Sequence, residues 1–281
     1  ADGDFTVSGA TCVLSGYTVT TANTVFTQIC TPDTNGELIT LSVGVVGTDP
    51  AGNSNTAATD FTWTYDTTAP TATITSTEVN TGGSLNQAAT FTVTFSEEMT
   101  GIANGDFTVT DTRCVLSDFT VATANTVFTQ ICTPDTPGEL ITLSVGVVGT
   151  DPAGNSNTAA TDFTFTYETT APTATIASTE VTTGGRINEA VTFTVTFNEE
   201  MTGIADGDFT VGDSRCTLSG YEVTTANTVF TQTCGGSGYT NGQLITISVG
   251  VVGTDPAGNS NTAATDNNHI RPDAIGISEG V

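Results

Sequence analysis

Acidic side chains supply nearly all of the reactive groups in this chain. The 281 residues include 30 Asp and Glu, four Lys and Arg (all of them arginine) and one histidine, for a net charge of −26. A Ser-His-Asp arrangement would need that one histidine, His269, and the absence of lysine removes the amine nucleophile. We therefore predict that the protein is not an enzyme. Its charge repels nucleic acid, which excludes that partner, and no apolar run is long enough for membrane insertion.

The six cysteines form three pairs with equal spacing. The pairs are Cys12 and Cys30, Cys114 and Cys132, and Cys216 and Cys234, each 18 residues apart. An even count and a regular spacing favour disulfides within each repeat, made in an oxidising compartment. Buried free thiols and links between chains are the alternatives, and a zinc site is disfavoured because no histidine lies nearby. We therefore predict a secreted protein located outside the cell or at the cell surface.

The cysteine pairs and the acidic tracts recur in a long repeating unit of the sequence. The tract Gly-Asp-Phe-Thr-Val starts at Gly3, Gly105 and Gly207, in steps of 102 residues. Ala22–Thr62 matches Ala124–Thr164 with a single difference. A period of this length is one whole domain per repeat, so the chain is a string of domains and not a solenoid.

Alternating apolar residues and threonines predict the fold of one repeat. Stretches such as Phe91–Phe95 and Ile141–Val147 alternate with period two, with Thr, Ser or Gly on the outer face, as half-buried strands do. About seven such strands in about 100 residues favour an immunoglobulin-like sandwich, whose strands are lettered A to G. In the middle repeat the predicted strands are A at Thr71–Ser76, B at Thr90–Phe95, C at Asp106–Thr110, the hairpin Cys114–Val121 with Thr126–Cys132, F at Leu140–Gly149 and G at Asp162–Tyr167.

The predicted fold class is all-β, with tandem immunoglobulin-like β-sandwiches of which the first and the last are incomplete within the chain. Residues 1–67 are a partial domain with strands C to G, and residues 68–169 are a complete domain. Residues 170–266 are a domain that lacks its own strand G. Residues 267–281 are a C-terminal tail and a candidate donor strand.

Four short motifs resemble those of a known family. They are Asp66-Thr-Thr-Ala-Pro-Thr, Phe91-Thr-Val-Thr-Phe-Ser-Glu-Glu-Met-Thr-Gly, Asp106-Phe-Thr-Val and Asp151-Pro-Ala-Gly-Asn. In this order they resemble the bacterial Ig-like repeats of large secreted adhesins and biofilm proteins, over nearly the whole chain up to Asp266. The resemblance implies the immunoglobulin fold and a stalk function, and it names no ligand. The cysteine pair in each repeat departs from the family pattern.

Acidic residues from three segments meet at the predicted joint between repeats. The immunoglobulin topology places the B–C and F–G loops at the end of the sandwich where the incoming linker enters. Crowded carboxylates repel one another, and Ca²⁺ takes about six to eight oxygen ligands. The predicted ligands are Asp66, Glu97, Glu98, Asp106, Asp151 and Asn155 at one joint, and Glu168, Glu199, Glu200, Asp208, Asp255 and Asn259 at the next.

The expected cofactor is therefore structural Ca²⁺, which would stiffen each joint so that the string of domains behaves as a rod. Two alternatives need no cation. Asp-Pro and Asn-Gly sequences also shape turns, and an acidic surface is typical of proteins from saline habitats.

The incomplete repeats lead to a hypothesis about assembly. The first repeat starts at strand C, and an incomplete sandwich leaves strand edges that attract another chain. The tail segment Ala274-Ile-Gly-Ile-Ser-Glu279 resembles Thr92-Val-Thr-Phe-Ser-Glu97 at the end of strand B. We predict that the tail of one subunit inserts as strand B into the first repeat of the next, which grows open filaments. The polymerisation residues are Ala274, Ile275, Ile277, Glu279 and Val281, with Glu279 joining Asp2, Asp4 and Asp49.

The predicted function is a non-enzymatic extracellular structural protein: the subunit of a fibre built by head-to-tail strand donation and stiffened by disulfides and calcium. Its main partner is a second copy of itself, and contact with a cell surface or a matrix is left open. The alternative is a stalk segment of a long bacterial adhesin whose ligand-binding part lies elsewhere.

Overall fold

Strands dominate the structure, which a computed structural model describes for residues 1–9, 12–21, 23–110, 113–182, 184–185, 189–212, 215–236 and 244–270. Strands account for 51% of the residues and helices for 3%. The helical residues form single 3₁₀ turns such as Asp2–Asp4 and Asp206–Asp208. The predicted all-β class is therefore confirmed.

The strands follow the sequence repeat and form three units. In the first unit (residues 1–65) they are β1 (Phe5–Gly9), β2 (Cys12–Thr21), β3 (Val25–Pro32), β4 (Leu38–Val43) and β5 (Phe61–Thr64). In the second unit (residues 66–167) they are β6 (Ala72–Ser76), β7 (Gly83–Leu85), β8 (Ala89–Phe95), β9 (Phe107–Val109), β10 (Cys114–Thr123), β11 (Val127–Pro134), β12 (Glu139–Val145) and β13 (Phe163–Tyr167). In the third unit (residues 168–270) they are β14 (Ala174–Ala177), β15 (Val191–Phe197), β16 (Phe209–Val211), β17 (Thr217–Thr225), β18 (Val229–Gly235), β19 (Leu244–Val249) and β20 (Ala264–Ile270).

The second unit is a complete immunoglobulin-like sandwich. One sheet has the order β6-β8-β11-β10 and the other the order β7-β13-β12-β9. These are the A-B-E-D and A′-G-F-C orders of the immunoglobulin fold, so the predicted topology is confirmed. Strand β7 was not predicted from the sequence; it pairs in parallel with β13 at Phe165↔Gly83. A strand of three residues is too short to show an alternating pattern.

Strand β8 supplies much of the core of the second unit. Its burial alternates, with Ala89, Phe91, Val93 and Phe95 buried and the threonines between them more exposed. The ring of Phe91 lies edge-on to that of Phe163 in the opposite sheet, with 5.2 Å between the ring centroids. Burying one such side chain stabilises the fold by about 1.5–3 kcal/mol, so this strand is a large part of the stability of the unit.

A disulfide ties together the hairpin of each unit. β10 and β11 pair antiparallel, and the bond between Cys114 and Cys132 joins them with their Cα atoms 5.5 Å apart. The equivalent bonds are Cys12–Cys30 and Cys216–Cys234. All six cysteines are thus bonded within their own repeat, as predicted. In the chain-entropy account, closing a loop of this size contributes about 3 kcal/mol to each unit.

The first unit has an open core. Its sheets are β1-β4-β5 and the hairpin β2-β3, and the described residues include no counterparts of β6, β7 and β8. Phe61 and Phe26 are 66% and 42% exposed, whereas Phe163 and Phe128, at the same repeat positions, are 5% and 1% exposed. The near-identical sequence therefore folds into the same strands but leaves one face of the sandwich uncovered.

The third unit corrects one prediction. Strand β20 lies beside β19 with Ile245↔His269 and Ile247↔Asn267 opposite each other, the register that β12 and β13 have in the second unit. The prediction that residues 170–266 lack a strand G, with a separate tail from Asn267, is therefore wrong. The sequence Asn-Asn-His-Ile breaks the Phe-Thr-Phe-Thr pattern, but ladder hydrogen bonds are made by the backbone and form with either sequence.

The matched phenylalanines allow a test of the open core. We expect Phe128→Ala to lower the free energy of unfolding of the second unit by about 3–5 kcal/mol, because it leaves a cavity in a closed core. Phe26→Ala is expected to cost the first unit less than about 2 kcal/mol, because that side chain is already half exposed. Hydrogen exchange with mass spectrometry reads each unit separately on β2 and β10, whose sequences differ. Equal losses would show that the first unit is closed.

Candidate metal centre at the joints between units

The linker between the first and second units is held on both sides by hydrogen bonds. The backbone carbonyl of Asp66 accepts a hydrogen bond from Asn155 Nδ2 at 3.0 Å, and that of Pro70 accepts one from the Thr158 amide at 2.8 Å. On the other side, Asn35 Oδ1 accepts from the Thr67 amide at 2.6 Å. The linker therefore follows the surface of the second unit from its first residues.

The loop between β12 and β13, the F–G loop, is shaped by two of its own side chains. Asp151 Oδ1 accepts from the Asn155 amide and Oδ2 from Asn155 Nδ2, both at 2.8 Å. Asn157 Oδ1 accepts from the amides of Val148 and Gly149 at 2.9 and 3.0 Å. Asp151 and Asn157 are each only 2% exposed. The loop is therefore a fixed platform under the linker.

Three carboxylates meet on this platform. Oxygen atoms of Asp66 from the linker, Glu97 from the B–C loop and Asp151 from the F–G loop all lie within 4.8 Å of one another. The second joint repeats the cluster with Glu168, Glu199 and Asp255. We call these groups the acidic clusters. Each draws on three segments, as the sequence analysis predicted.

Four of the predicted ligands do not join the acidic clusters. Glu98 Oε1 accepts a hydrogen bond from Asn125 Nδ2 at 3.3 Å, on the hairpin tip. Asp106 Oδ2 accepts from the Ala103 amide at 2.6 Å and closes a turn before β9. Glu200 and Asp208 make the equivalent bonds to Asn227 and Ala205. The chain bends after β8, so that Glu97 faces the cluster while Glu98 is turned towards the hairpin tip.

Asn155 and Asn259 position the acidic clusters. Asn259 Nδ2 donates to Asp255 Oδ2 at 2.9 Å and to Glu168 Oε2 at 2.6 Å. These donors face the carboxylates and hold the acids in place, and the role of the Asn side-chain oxygens as ligands stays a prediction. Each acidic cluster offers three carboxylates, an all-oxygen set. That chemistry fits a hard cation such as Ca²⁺ and fits poorly a metal that prefers nitrogen or sulfur.

The bacterial Ig-like domain model matches residues 66–167 and 168–271. The chain belongs to this family. Each match begins at the linker carboxylate of an acidic cluster, and the second includes β20.

No curated protein matches the chain. Among solved structures, the D0-D1 domain of intimin is 20% identical, over 72% of this chain and 98% of that chain, with a TM-score of 0.23 that is too low to support an argument. The described residues contain no helix of the length and apolarity that a membrane span needs.

Electrostatics distinguish the acids of each bacterial Ig-like unit. Burial raises the pKa of Glu97, and the negative charges of Asp66 and Asp151 raise it further. Burial also acts to raise the pKa of Asp151, but hydrogen bonds from the side chain and backbone of Asn155 outweigh it, with help from nearby backbone amides, and the pKa is lowered. In the second cluster, burial and the charges of Asp255 and Glu168 raise the pKa of Glu199. The B–C loop glutamate is therefore the acid that a bound cation would relieve most.

One residue at the second joint was not predicted from the sequence. Asn86, just after β7, donates through its amide to the Ala257 carbonyl and through Nδ2 to Asn259 Oδ1, both at 3.1 Å. It ties the second unit to the F–G loop of the third. The sequence gives little signal for it, because Asn in a loop is common. The Asn35 contact had a clearer signal, since Asn35 against Pro137 is the single difference between the two matching stretches.

The predicted polymerisation residues Ala274, Ile275, Ile277, Glu279 and Val281 lie outside the described residues, and their role stays a prediction. Their expected partners Asp2, Asp4 and Asp49 are described. Asp49 has the same loop bonds as Asp151, with Oδ1 accepting from the Asn53 amide at 2.8 Å. The described part of the first unit has no counterparts of Asp66 and Glu97 beside it.

The raised pKa of Glu97 predicts how stability depends on pH without metal ions. The folded protein holds this proton more tightly than the unfolded chain, so protonation favours folding. We expect the second unit to gain stability as the pH falls from neutral towards the ordinary glutamate value of 4.5. Asp151, whose pKa is lowered from 3.8, titrates below this window. Glu97→Gln should raise the melting temperature at neutral pH and flatten the pH dependence.

Melting scans in EDTA check this prediction. Glu98→Gln is the matched control, because it removes one charge from the neighbouring residue but leaves the acidic cluster intact. If both variants change the pH dependence equally, the effect comes from net charge and not from the cluster.

Proposed function

We propose that this protein is a non-enzymatic structural component of the cell surface or extracellular space, in which bacterial Ig-like units in series form a stalk segment of the adhesin type. Ca²⁺ at the acidic clusters stiffens the joints. The observation that supports this most is the build of the joint itself. At both joints a linker carboxylate is grouped with acids from two loops of the following unit, and the linker backbone is bonded to that unit.

A cation at this position acts mechanically. Without it, three carboxylates repel one another and push the linker away from the B–C and F–G loops. With Ca²⁺ bound, the same oxygens attract one ion, and the linker, the two loops and the unit they belong to are tied together. The orientation of one unit on the next is then held by ionic contacts as well as by a few hydrogen bonds.

The disulfides support an extracellular or surface location. Such bonds persist in oxidising compartments and are rare where thiols are kept reduced. One disulfide in the hairpin of every unit makes each unit resistant to unfolding outside the cell, where no machinery refolds it. This fits a protein whose task is to remain extended.

The calcium proposal is tested by titration and by small-angle X-ray scattering of the full chain. We expect about two Ca²⁺ per chain, one for each acidic cluster, a higher melting temperature and a narrower distribution of molecular dimensions. The double variant Glu97→Gln, Glu199→Gln should lose most of this response, because it removes the central acid of each cluster. The matched control Glu98→Gln, Glu200→Gln carries the same net charge and should keep it. A response that is equal in both, or absent in the unmodified chain, contradicts the proposal.

A second candidate function is the subunit of a filament formed by strand donation. The open face of the first unit favours it, because an uncovered sheet edge binds an added strand. Insertion of the tail of one copy into the first unit of another is a head-to-tail contact, which grows without closing.

Electron microscopy decides between the two candidates. If the tail donates a strand, the unmodified chain forms long uniform filaments and deletion of residues 274–281 gives single short rods. Short rods from the unmodified chain, or filaments that survive the deletion, contradict the donation of this tail. Neither outcome bears on the calcium response, which is measured on the joints.

A further inference from the structure

Two Asn-Gly sequences lie in the described part of the chain, at Asn35 and at Asn104. An asparagine followed by glycine can react with its own backbone, because glycine has no side chain to keep its amide nitrogen away from the asparagine side-chain carbonyl. The repeat position of Asn104 is occupied by Asp2 in the first unit and by Asp206 in the third. The second unit therefore carries the amide form of a residue that is an acid in both neighbouring units.

A buried donor holds the side-chain carbonyl of Asn104. Gln130 on β11 is 2% exposed, and its Nε2 donates to Asn104 Oδ1 at 2.7 Å. In the third unit Gln232 Nε2 donates to Asp206 Oδ1 at 2.6 Å, which fixes the direction of this bond, because an ionised carboxylate only accepts. A donor on this oxygen draws electron density from the carbonyl carbon. It also stabilises the negative charge that the oxygen gains when that carbon is attacked.

The nucleophile and the leaving group at Asn104 are both unrestrained. Among the described residues, neither the Gly105 amide nor Asn104 Nδ2 makes a hydrogen bond, and Asn104 is exposed, so ammonia can leave to the solvent. At the other sequence the Gly36 amide donates to the Tyr65 carbonyl at 2.7 Å. That bond has to break before the Gly36 nitrogen can attack. The fold therefore protects Asn35 and leaves Asn104 reactive.

We propose that Asn104 is a site of spontaneous deamidation, which converts the second unit to the acidic form of its neighbours. The Gly105 nitrogen gives its proton to hydroxide and forms a bond to Asn104 Cγ. The Cγ–Nδ2 bond then breaks, and ammonia leaves with a proton from water. Water opens the resulting five-membered imide. Breaking the bond between the Gly105 nitrogen and Cγ gives aspartate, and breaking the bond from that nitrogen to the backbone carbonyl carbon gives isoaspartate.

The aspartate product already has a place in this fold. Asp206 occupies the same position in the third unit, and the turn around it is closed by the same backbone hydrogen bond, of 3.1 Å in both units. The conversion adds one negative charge and makes the bond from Gln130 charge-assisted, which strengthens it. We therefore expect the variant Asn104→Asp to melt at a temperature no lower than that of the unmodified chain.

Mass spectrometry of the full chain after ageing in mildly alkaline buffer tests the proposal. Cleavage after glutamate places Asn35 in the fragment 1–37 and Asn104 in the fragment 99–139, so each conversion is read separately. In the folded chain we expect Asn104 to convert about tenfold faster than Asn35. In the reduced chain in urea the two rates should be similar, because the hydrogen bonds that distinguish the two sites are lost.

Gly105→Ala is the decisive variant. A Cβ at Gly105 meets no atom within 4 Å and the residue does not have a positive φ, so the fold accepts alanine there. The methyl group nevertheless hinders the nitrogen, and conversion of Asn104 should slow by about tenfold or more. Gly207→Ala is the matched control, since it makes the same change at the equivalent open position of the third unit. It should leave the rate at Asn104 unchanged.

A second variant tests the buried donor. Gln130→Leu removes the hydrogen bond to Asn104 Oδ1 while it keeps a side chain of similar size, and conversion should slow several-fold. An unchanged rate overturns the part assigned to Gln130. If this variant disrupts the second unit, the Gly105→Ala pair still decides. The proposal as a whole is overturned by equal conversion of Asn104 and Asn35 in the folded chain, by conversion that needs unfolding, or by an unchanged rate in Gly105→Ala.

Discussion

Each joint depends on the hydrogen bonds of one asparagine. Asn155 closes the F–G loop onto Asp151 through its backbone and side-chain amides, and its side chain also holds the linker carbonyl of Asp66. A buried carboxylate is costly unless donors compensate for the lost water, and here they do so well enough to lower its pKa. The charge of Asp151 is thus fixed by the loop. The linker is brought against that charge by the same side chain. Glu97 completes the cluster, and among the described residues no hydrogen bond lowers its pKa.

The second constraint is that strand B must cover the aromatic core. Phe26 and Phe128 lie in stretches of nearly the same sequence and on strands with the same hairpin register, yet one is 42% and the other 1% exposed. The difference comes entirely from β8 and its neighbours. Local structure in this chain is therefore set by local sequence, whereas burial is set by a segment about 30 to 40 residues away along the chain. The strands form in both units, but only the complete unit gains the full hydrophobic stabilisation.

Sequence patterns were sufficient for the features that repeat or alternate. Period-two patterns placed the main strands, the 102-residue period placed the disulfides, and the topology brought Asp66, Glu97 and Asp151 to one joint. The patterns failed where backbone geometry decides. β7 is too short to alternate, β20 forms by backbone pairing despite the side chains of Asn267 and its neighbours, and the opposite directions of Glu97 and Glu98 depend on the bend after β8. Contacts between units, such as that of Asn86, produce no periodic pattern in the sequence.

The hairpin disulfide also limits which parts of a near-identical array can exchange. Neighbouring units of one sequence risk pairing a strand with the wrong partner. In each unit the hairpin is closed by its own disulfide, and it keeps the same register even in the first unit, where Leu14↔Cys30 matches Leu116↔Cys132. The hairpin is therefore fixed within its unit whether or not strand B is present. Strands β6, β7 and β8 have no such cross-link, and strand pairing and core contacts hold them on their sandwich. The corner after β7 also reaches the next unit, where Asn86 donates to the Ala257 carbonyl and to Asn259 Oδ1.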